Sequence, residues 1–285
     1  MRILRKRRLW LLVFALLATA AYVHQAMPPP FPTQADASRD GVERRSYSLP
    51  GSPIKISYLR NGDVSGRRVI FVHGTPGSAI QFERYLAAVP KDAEFIAIDR
   101  PGFGQSNPDM AVTSLSEQAK ALQPLLVERK GAWPILVGHS LGGPIVARAA
   151  VDNPGKVGGL LILAGAFDPQ QEHVYAIQNV ADWAWVRDLL PTMLRNANQE
   201  LIALKPQLEI LAPRLIGIGC TVSVIHGTKD ANVPYANVAF IKAHYSAARL
   251  TVQTIPGQGH FLPEFERTRI VGTLARLLKA APKPC

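Results

Sequence analysis

Short runs of apolar, largely β-branched residues recur along the chain, each closed by glycine, aspartate or histidine. They are Val69-Ile70-Phe71-Val72, Phe95-Ile96-Ala97-Ile98, Pro134-Ile135-Leu136-Val137, Leu160-Leu161-Ile162-Leu163, Val222-Ser223-Val224-Ile225 and Leu250-Thr251-Val252, after an alternating stretch from Ile54 to Leu59. Runs this short and this apolar predict strands buried on both faces, as in a parallel sheet. Between them lie segments with apolar residues three and four apart, roughly 78–89, 114–129, 141–153, 235–246 and 264–280, which predict helices. Strand and helix in alternation imply right-handed crossovers and an α/β domain with helices on both faces of the sheet. In such a sheet the loops at the carboxyl ends of the strands carry the chemistry.

The amino terminus has a different pattern. Arg2, Arg5, Lys6, Arg7 and Arg8 precede a run of apolar and small residues from Leu9 to Val23, and Pro28-Pro29-Pro30 follows. A basic flank before a short apolar run is the pattern of a secretory signal or of an uncleaved anchor. Residues 1–26 are therefore expected to direct export, with membrane attachment through residues 9–23 if the segment is retained. That puts the rest of the chain in the periplasm or on the outer face of the membrane. Residues 27–45, rich in proline and small polar residues, read as a linker. The folded domain is expected over 46–280, interrupted by an insertion at about 166–214.

Composition narrows the class. With 285 residues, 47% hydrophobic and 19% charged, the chain is neither disordered, collagenous nor a coiled coil. Two cysteines, Cys220 and Cys285, cannot build a disulfide scaffold or a four-thiolate zinc site. Cys220 opens an apolar run and reads as core; pairing with Cys285, or of Cys285 with another chain, stays open. Of the net charge of +11, the first eight residues supply five, and the +6 left over is spread thinly without interleaved aromatics. No nucleic-acid partner is expected.

Inspection of the strand ends finds the chemistry. One run leads into Gly138-His139-Ser140-Leu141-Gly142-Gly143 ahead of a helical segment. A serine on a tight strand-to-helix turn needs glycine two residues to either side so that neighbouring backbone can approach. Its hydroxyl then projects into a cleft, with the amide of Leu141 beside it. Another run ends in His73-Gly74-Thr75-Pro76-Gly77, where the amide of Thr75 is a natural second donor to a developing oxyanion. Serine needs a base, and the base needs an orienting group. Of seven histidines, His73, His139 and His226 flank tight turns and read as braces, whereas His260 lies in Gly257-Gln258-Gly259-His260-Phe261, a loop mobile enough in composition to swing an imidazole onto Ser140. Asp230 and Asp99 are the candidate acids, Asp99 heading the glycine-rich turn Asp99-Arg100-Pro101-Gly102-Phe103-Gly104-Gln105-Ser106.

Taken in order, His73–Gly77, Asp99–Ser106, Gly138–Gly142, and Asp230 with His260, these motifs resemble the α/β-hydrolase superfamily in its group with an H-G-x-P-G loop and a D-x-P-G-x-G-x-S turn. The resemblance covers residues 46 to 280. It implies a mostly parallel eight-stranded sheet, a small helical cap, a nucleophile elbow at Ser140, and no metal or organic cofactor. The order serine, acid, histidine makes Asp230 the acid and leaves Asp99 to anchor its turn. Epoxide hydrolases and haloalkane dehalogenases carry aspartate at the elbow, so Ser140 disfavours both. Proline iminopeptidases typically carry G-G-S-W-G, which departs at His139 and Leu141. Carboxylic-ester hydrolases, thioesterases and carbon–carbon bond hydrolases all accommodate G-H-S-L-G-G, as does a ligand-binding protein of the same fold with little turnover. Hydrolysis of a small-molecule acyl ester is the expected activity.

The insertion is expected to form the cap and set the substrate. Phe167, Trp183, Trp185 and Met193 are the expected pocket residues under an apolar, water-excluding roof, with His173 and Arg187 as polar contacts.

Overall fold

In the computed structural model, residues 41–280 and 284–285 are described. The expected leader over 1–26, its segment 9–23 and nearly all of the linker lie outside the described residues. Among the described residues, no helix is long and apolar enough to cross a membrane.

The described chain contains strands β1 (Glu43–Ser48), β2 (Lys55–Gly62), β3 (Arg67–Val72), β4 (Ala93–Ile98), β5 (Ile135–His139), β6 (Gly159–Leu163), β7 (Thr221–Gly227) and β8 (Arg249–Ile255). They form one eight-stranded sheet in the order β1-β2-β4-β3-β5-β6-β7-β8. β2 pairs antiparallel with both β1 and β4, and every pairing from β4 through β8 is parallel. The helices in chain order are α1 (Glu83–Leu86), α2 (Leu115–Lys120), α3 (Gly142–Asp152), α4 (Ala176–Ala181), α5 (Ala184–Arg187), α6 (Thr192–Leu211), α7 (Asn237–His244), α8 (Leu262–Phe265) and α9 (Arg267–Lys279).

Successive side chains of a strand leave on opposite faces, so each apolar run feeds two cores. Ile70 and Val72 join Ile96, Leu136 and the α3 residues Ile145 and Val146 in one core. Val69 and Phe71 join Phe95, the α1 residues Tyr85 and Leu86, and Ile270 and Leu274 of α9 in the other. All the strand residues named have at most 4% exposure, as a two-sided parallel sheet requires.

The observed elements depart from the sequence pattern at three places. β1 starts at Glu43, ahead of the boundary expected at 46, and its sequence ERRSYS has no apolar run. It is an edge strand that buries few side chains and is held by register pairing from Glu43 with Arg60 to Ser48 with Lys55. The helix expected over 114–129 stops at Lys120 and continues as a 3-10 turn, Gln123–Leu125, because Pro124 has no N–H for the helical ladder. Over 78–89 a 3-10 turn, Ala79–Phe82, and the four-residue α1 replace a full helix.

Cys220 and Cys285 form a disulfide. Cys285 also pairs through its backbone with Val157 (2.8 Å) and Gly155 (2.7 Å), so the last residue is stitched to the loop between α3 and β6. The closed loop spans a sequence separation of 65 residues. Loop-closure entropy for such a length corresponds to about 4 kcal/mol, with measured disulfides usually delivering about 2–4 kcal/mol. Cys285→Ser is expected to lose that amount in urea unfolding, and dithiothreitol should lower wild-type stability by a similar amount while leaving the variant unchanged.

Candidate active site

β5 ends at His139 and α3 begins at Gly142, leaving two residues to turn the chain from strand to helix. Ser140 takes a φ of 55° there. A side-chain-bearing residue in the left-handed region costs on the order of 1–3 kcal/mol and persists only where its surroundings hold it. The Ser140 amide donates to Leu163 O at 2.9 Å, and Ser140 O accepts from Gly143 at 2.9 Å. A Cβ on Gly138 would stand 2.3 Å from the Gly142 carbonyl oxygen, and one on Gly142 would stand 2.2 Å from that of Val72. Both glycines are sterically obligatory.

The end of β3 meets this turn. A Cβ on Gly74 would lie 2.7 Å from Ser140 Cβ and 3.3 Å from its Oγ, so bare backbone faces the serine. Among the described residues, neither the Thr75 amide nor the Leu141 amide donates to a protein acceptor. Two unspent amides therefore adjoin the serine, Leu141 as the next residue and Thr75 next to Gly74, whose backbone faces it.

On the other side, His260 Nδ1 and Asp230 Oδ2 are 2.8 Å apart. Asp230 Oδ1 accepts from the amides of Asn232 (2.9 Å) and Val233 (2.8 Å), which fixes the carboxylate plane. Burial works to raise the Asp230 carboxyl, but the hydrogen bond and charge of His260 and the Val233 amide outweigh it and hold it below the usual carboxylate range. A depressed acid contributes stability that is present above its unfolded value and is lost as pH falls through its folded one. The ring of His139, the residue before Ser140, lies 4.8 Å from the His260 ring, which brings the imidazole to the serine turn. No hydrogen bond joins Ser140 and His260 among the described residues.

The His260 loop differs from its expected mobility. Gln258 O accepts from Lys229 N at 2.9 Å, Thr228 Oγ1 accepts from Gly257 N at 3.0 Å, and Leu262 N donates to His260 O at 2.8 Å. Gly227 lets the loop close down, since a Cβ there would meet Gln258 O at 2.2 Å. The imidazole is delivered by a pinned turn.

Three further histidines surround the site. His139 Nε2 donates to His260 O at 3.0 Å while its Nδ1 accepts from Gln81 Nε2 at 3.1 Å. Burial first, and the adjacent His260 second, push His139 down to about 3. His226 Nε2 donates to Val233 O at 2.9 Å and lies 3.6 Å from Asp230 Oδ2; burial lowers its pKa as well. His73, lowered by burial and then by Arg100, accepts from the Arg100 amide at Nε2 (3.0 Å) and donates from Nδ1 to Gly74 O (2.7 Å). All three act as neutral braces. Asp99 anchors two loops: it accepts from the amides of Ala79 (2.7 Å) and Gln105 (3.1 Å) and pairs with Arg44 at 2.6 Å.

The residues expected to form the pocket are divided between core and surface. Phe167 is 1% exposed and packs edge-on against Tyr245, inside the core behind the elbow. Trp183, Trp185 and Met193 are 54%, 67% and 43% exposed. They face solvent because α4 and α5 are short, of six and four residues, with no buried residue. Only α6 docks, through Asn196, Ala197, Glu200, Leu204, Leu208 and Leu211 at helical spacing. His173 is exposed, and Arg187 faces Asp188 at 3.9 Å. Among the described residues, no group of three His, Cys, Asp or Glu side chains is arranged to hold a metal ion.

Comparison with known proteins identifies the family. The model of an alpha/beta hydrolase family matches residues 69–272. The acetyltransferase component of an acetoin-cleaving system from Cupriavidus necator is 34% identical over 128 residues, covering 45% of this chain and 34% of that protein. A mitochondrial palmitoyl-protein thioesterase of Rattus norvegicus is 28% identical, over 74% of this chain and 73% of its own. A crystal structure of a bacterial membrane phospholipase A superposes with a TM-score of 0.62 over 96% of this chain and 100% of that one at 19% identity, a likeness of fold. The chain thus spans about a third of the first relative's length. Its homologues also include lipases and esterases.

Two outcomes follow from the local physics. Gly142→Ala is expected to lose more than about 3 kcal/mol in urea unfolding, because its Cβ would enter a backbone carbonyl that cannot move. Glu172, at the entry to the insertion, has its carboxyl pushed up to about 7, by burial and then by Asp168. Between its ordinary value and about 7 the folded state keeps a proton that the unfolded state has lost, so folding weakens as pH rises through that window. Glu172→Gln should equal wild type in stability at pH 4 and exceed it at pH 8 by up to about 3 kcal/mol.

Proposed function

The chain belongs to the alpha/beta hydrolase family, and from that premise we propose that it is a serine hydrolase of carboxylic esters or related acyl compounds, working through Ser140, His260 and Asp230. The observation that carries this reading is the 2.8 Å Asp230–His260 pair brought beside a serine at φ 55° with two unspent amides next to it. Ser140 Oγ attacks the acyl carbonyl carbon, and His260 Nε2 takes the hydroxyl proton. Asp230 holds the proton at Nδ1 and stabilises the imidazolium. The amides of Thr75 and Leu141 receive the oxyanion. Collapse of the tetrahedral intermediate expels the alkoxide, which takes the proton from Nε2. Water, deprotonated by the same imidazole, then cleaves the acyl-serine ester and restores the hydroxyl.

A thioester in place of the ester is the second reading, favoured by the thioesterase relative that matches most of the chain. The chemistry is the same and only the leaving group changes. Export of the domain, with membrane attachment through residues 9–23, is part of the proposal. The Cys220–Cys285 disulfide supports it, because such bonds persist in oxidising compartments.

Ser140→Ala is expected to abolish labelling by a fluorophosphonate probe and to lower p-nitrophenyl ester turnover by about 10⁴–10⁶-fold. Asp230→Asn should cost about 10⁴-fold in kcat. Labelling that persists at another serine, or a wild-type protein limited to a few turnovers, overturns the proposal. Comparing an S-acyl with an O-acyl substrate of equal chain length separates the two leaving groups.

A further inference from the structure

Arg100 is the largest fully buried side chain among the described residues. Its Nη1 lies 2.7 Å from Glu200 Oε1 and its Nη2 3.0 Å from Glu200 Oε2, a two-pronged pair with a residue of α6. Gln118 Nε2 donates to the same Glu200 Oε1 at 2.8 Å. Isolating such a pair from water is no route to stability, since well-packed apolar residues serve as well or better. The third contact of the guanidinium suggests another purpose: Nη2 also donates to the carbonyl of Gly74 at 3.0 Å.

That carbonyl accepts twice, from Arg100 Nη2 and from His73 Nδ1 at 2.7 Å, which uses both of its lone pairs. The Gly74 oxygen and the Thr75 N–H belong to one planar trans peptide group and point in opposite directions. A carbonyl clamped from two sides therefore fixes the direction of the Thr75 N–H. The positive charge on the oxygen side also polarises the amide and makes its N–H a stronger donor.

We propose that Arg100 is a positioning residue for the oxyanion site: held in plane by Glu200 of α6, it aims and polarises the Thr75 amide through the Gly74 carbonyl. One ion pair thereby joins the docking of α6 to the geometry beside Ser140. The inference rests on the reading of Thr75 as an oxyanion donor.

The test is Arg100→Lys in the full chain, which keeps a cation opposite Glu200 but replaces the fork with a single nitrogen. Two measurements are made together: steady-state kinetics on a short p-nitrophenyl ester, and the 1H–15N resonance and exchange rate of the Thr75 amide. The expected result is a fall in kcat of about 10- to 100-fold with KM within about threefold, accompanied by a shifted and faster-exchanging Thr75 amide while β7 amides stay in place. A kcat within about threefold of wild type, or a fall in kcat with the Thr75 amide unmoved, overturns the proposal. If wild type shows no Ser140-dependent turnover, the hydrolase reading fails, and the Thr75 amide alone decides whether Arg100 sets that peptide. Should Arg100→Lys not fold, Arg100→Met with Glu200→Met removes both charges at once and is read by the same two measurements.

Discussion

A serine at φ 55° does not hold that conformation unaided, and the domain around it supplies the restraint. The strain is offset by packing: β3 and β5 lie side by side in register from Val69–Ile135 to Val72–Gly138, and α3 drops straight onto them. That descent is possible only where no side chain intervenes, which is why Gly138 and Gly142 are bare. The same close approach leaves the Leu141 amide at the head of α3 unspent and brings the β3 loop against the serine. Strained serine, unspent donors and adjoining loop share one cause, the intolerance of two strands and a helix for any extra atom at their junction.

Around that junction the polar groups fall into two kinds. His73, His139 and His226 are buried, lowered in pKa and tied to backbone carbonyls, so they remain neutral and serve as struts. The Asp230 carboxylate, with two amides on one oxygen and His260 on the other, is held ionised. Of the two imidazoles beside the Asp230 carboxylate, His260 at 2.8 Å makes the hydrogen bond, while His226 at 3.6 Å spends its Nε2 on the Val233 carbonyl. Arg100 is the exception, and its charge is spent on Glu200 and on the carbonyl of Gly74.

Much of this was legible in the sequence wherever the cause is local. A glycine two residues from a serine reports a steric demand that acts over two residues, and the apolar runs report burial on both faces of a strand. The order of Ser140, Asp230 and His260 carried the acid–imidazole pair. Legibility failed where the outcome depends on distant partners. Glu43–Ser48 became a strand only because β2 offered it an edge. The aromatic and aliphatic content of the insertion suggested a roof, yet whether Trp183 and Trp185 are covered depends on the length and placement of α4 and α5. Arg100 stood within a motif without a visible role, because its meaning depends on Glu200, a hundred positions away in the chain. Only the Glu200–Leu204–Leu208–Leu211 spacing hinted that this face of α6 turns inward.

The parallel strands give the domain a direction. Ser140, Asp230, His260 and the Thr75 loop all follow the carboxyl ends of their strands, whereas Cys220 and Val157 precede β7 and β6. Cys285, bonded to both, is therefore fastened at the opposite pole. Whatever is fastened at Cys285 therefore sits on the underside of the sheet, away from the end that carries Ser140 and His260.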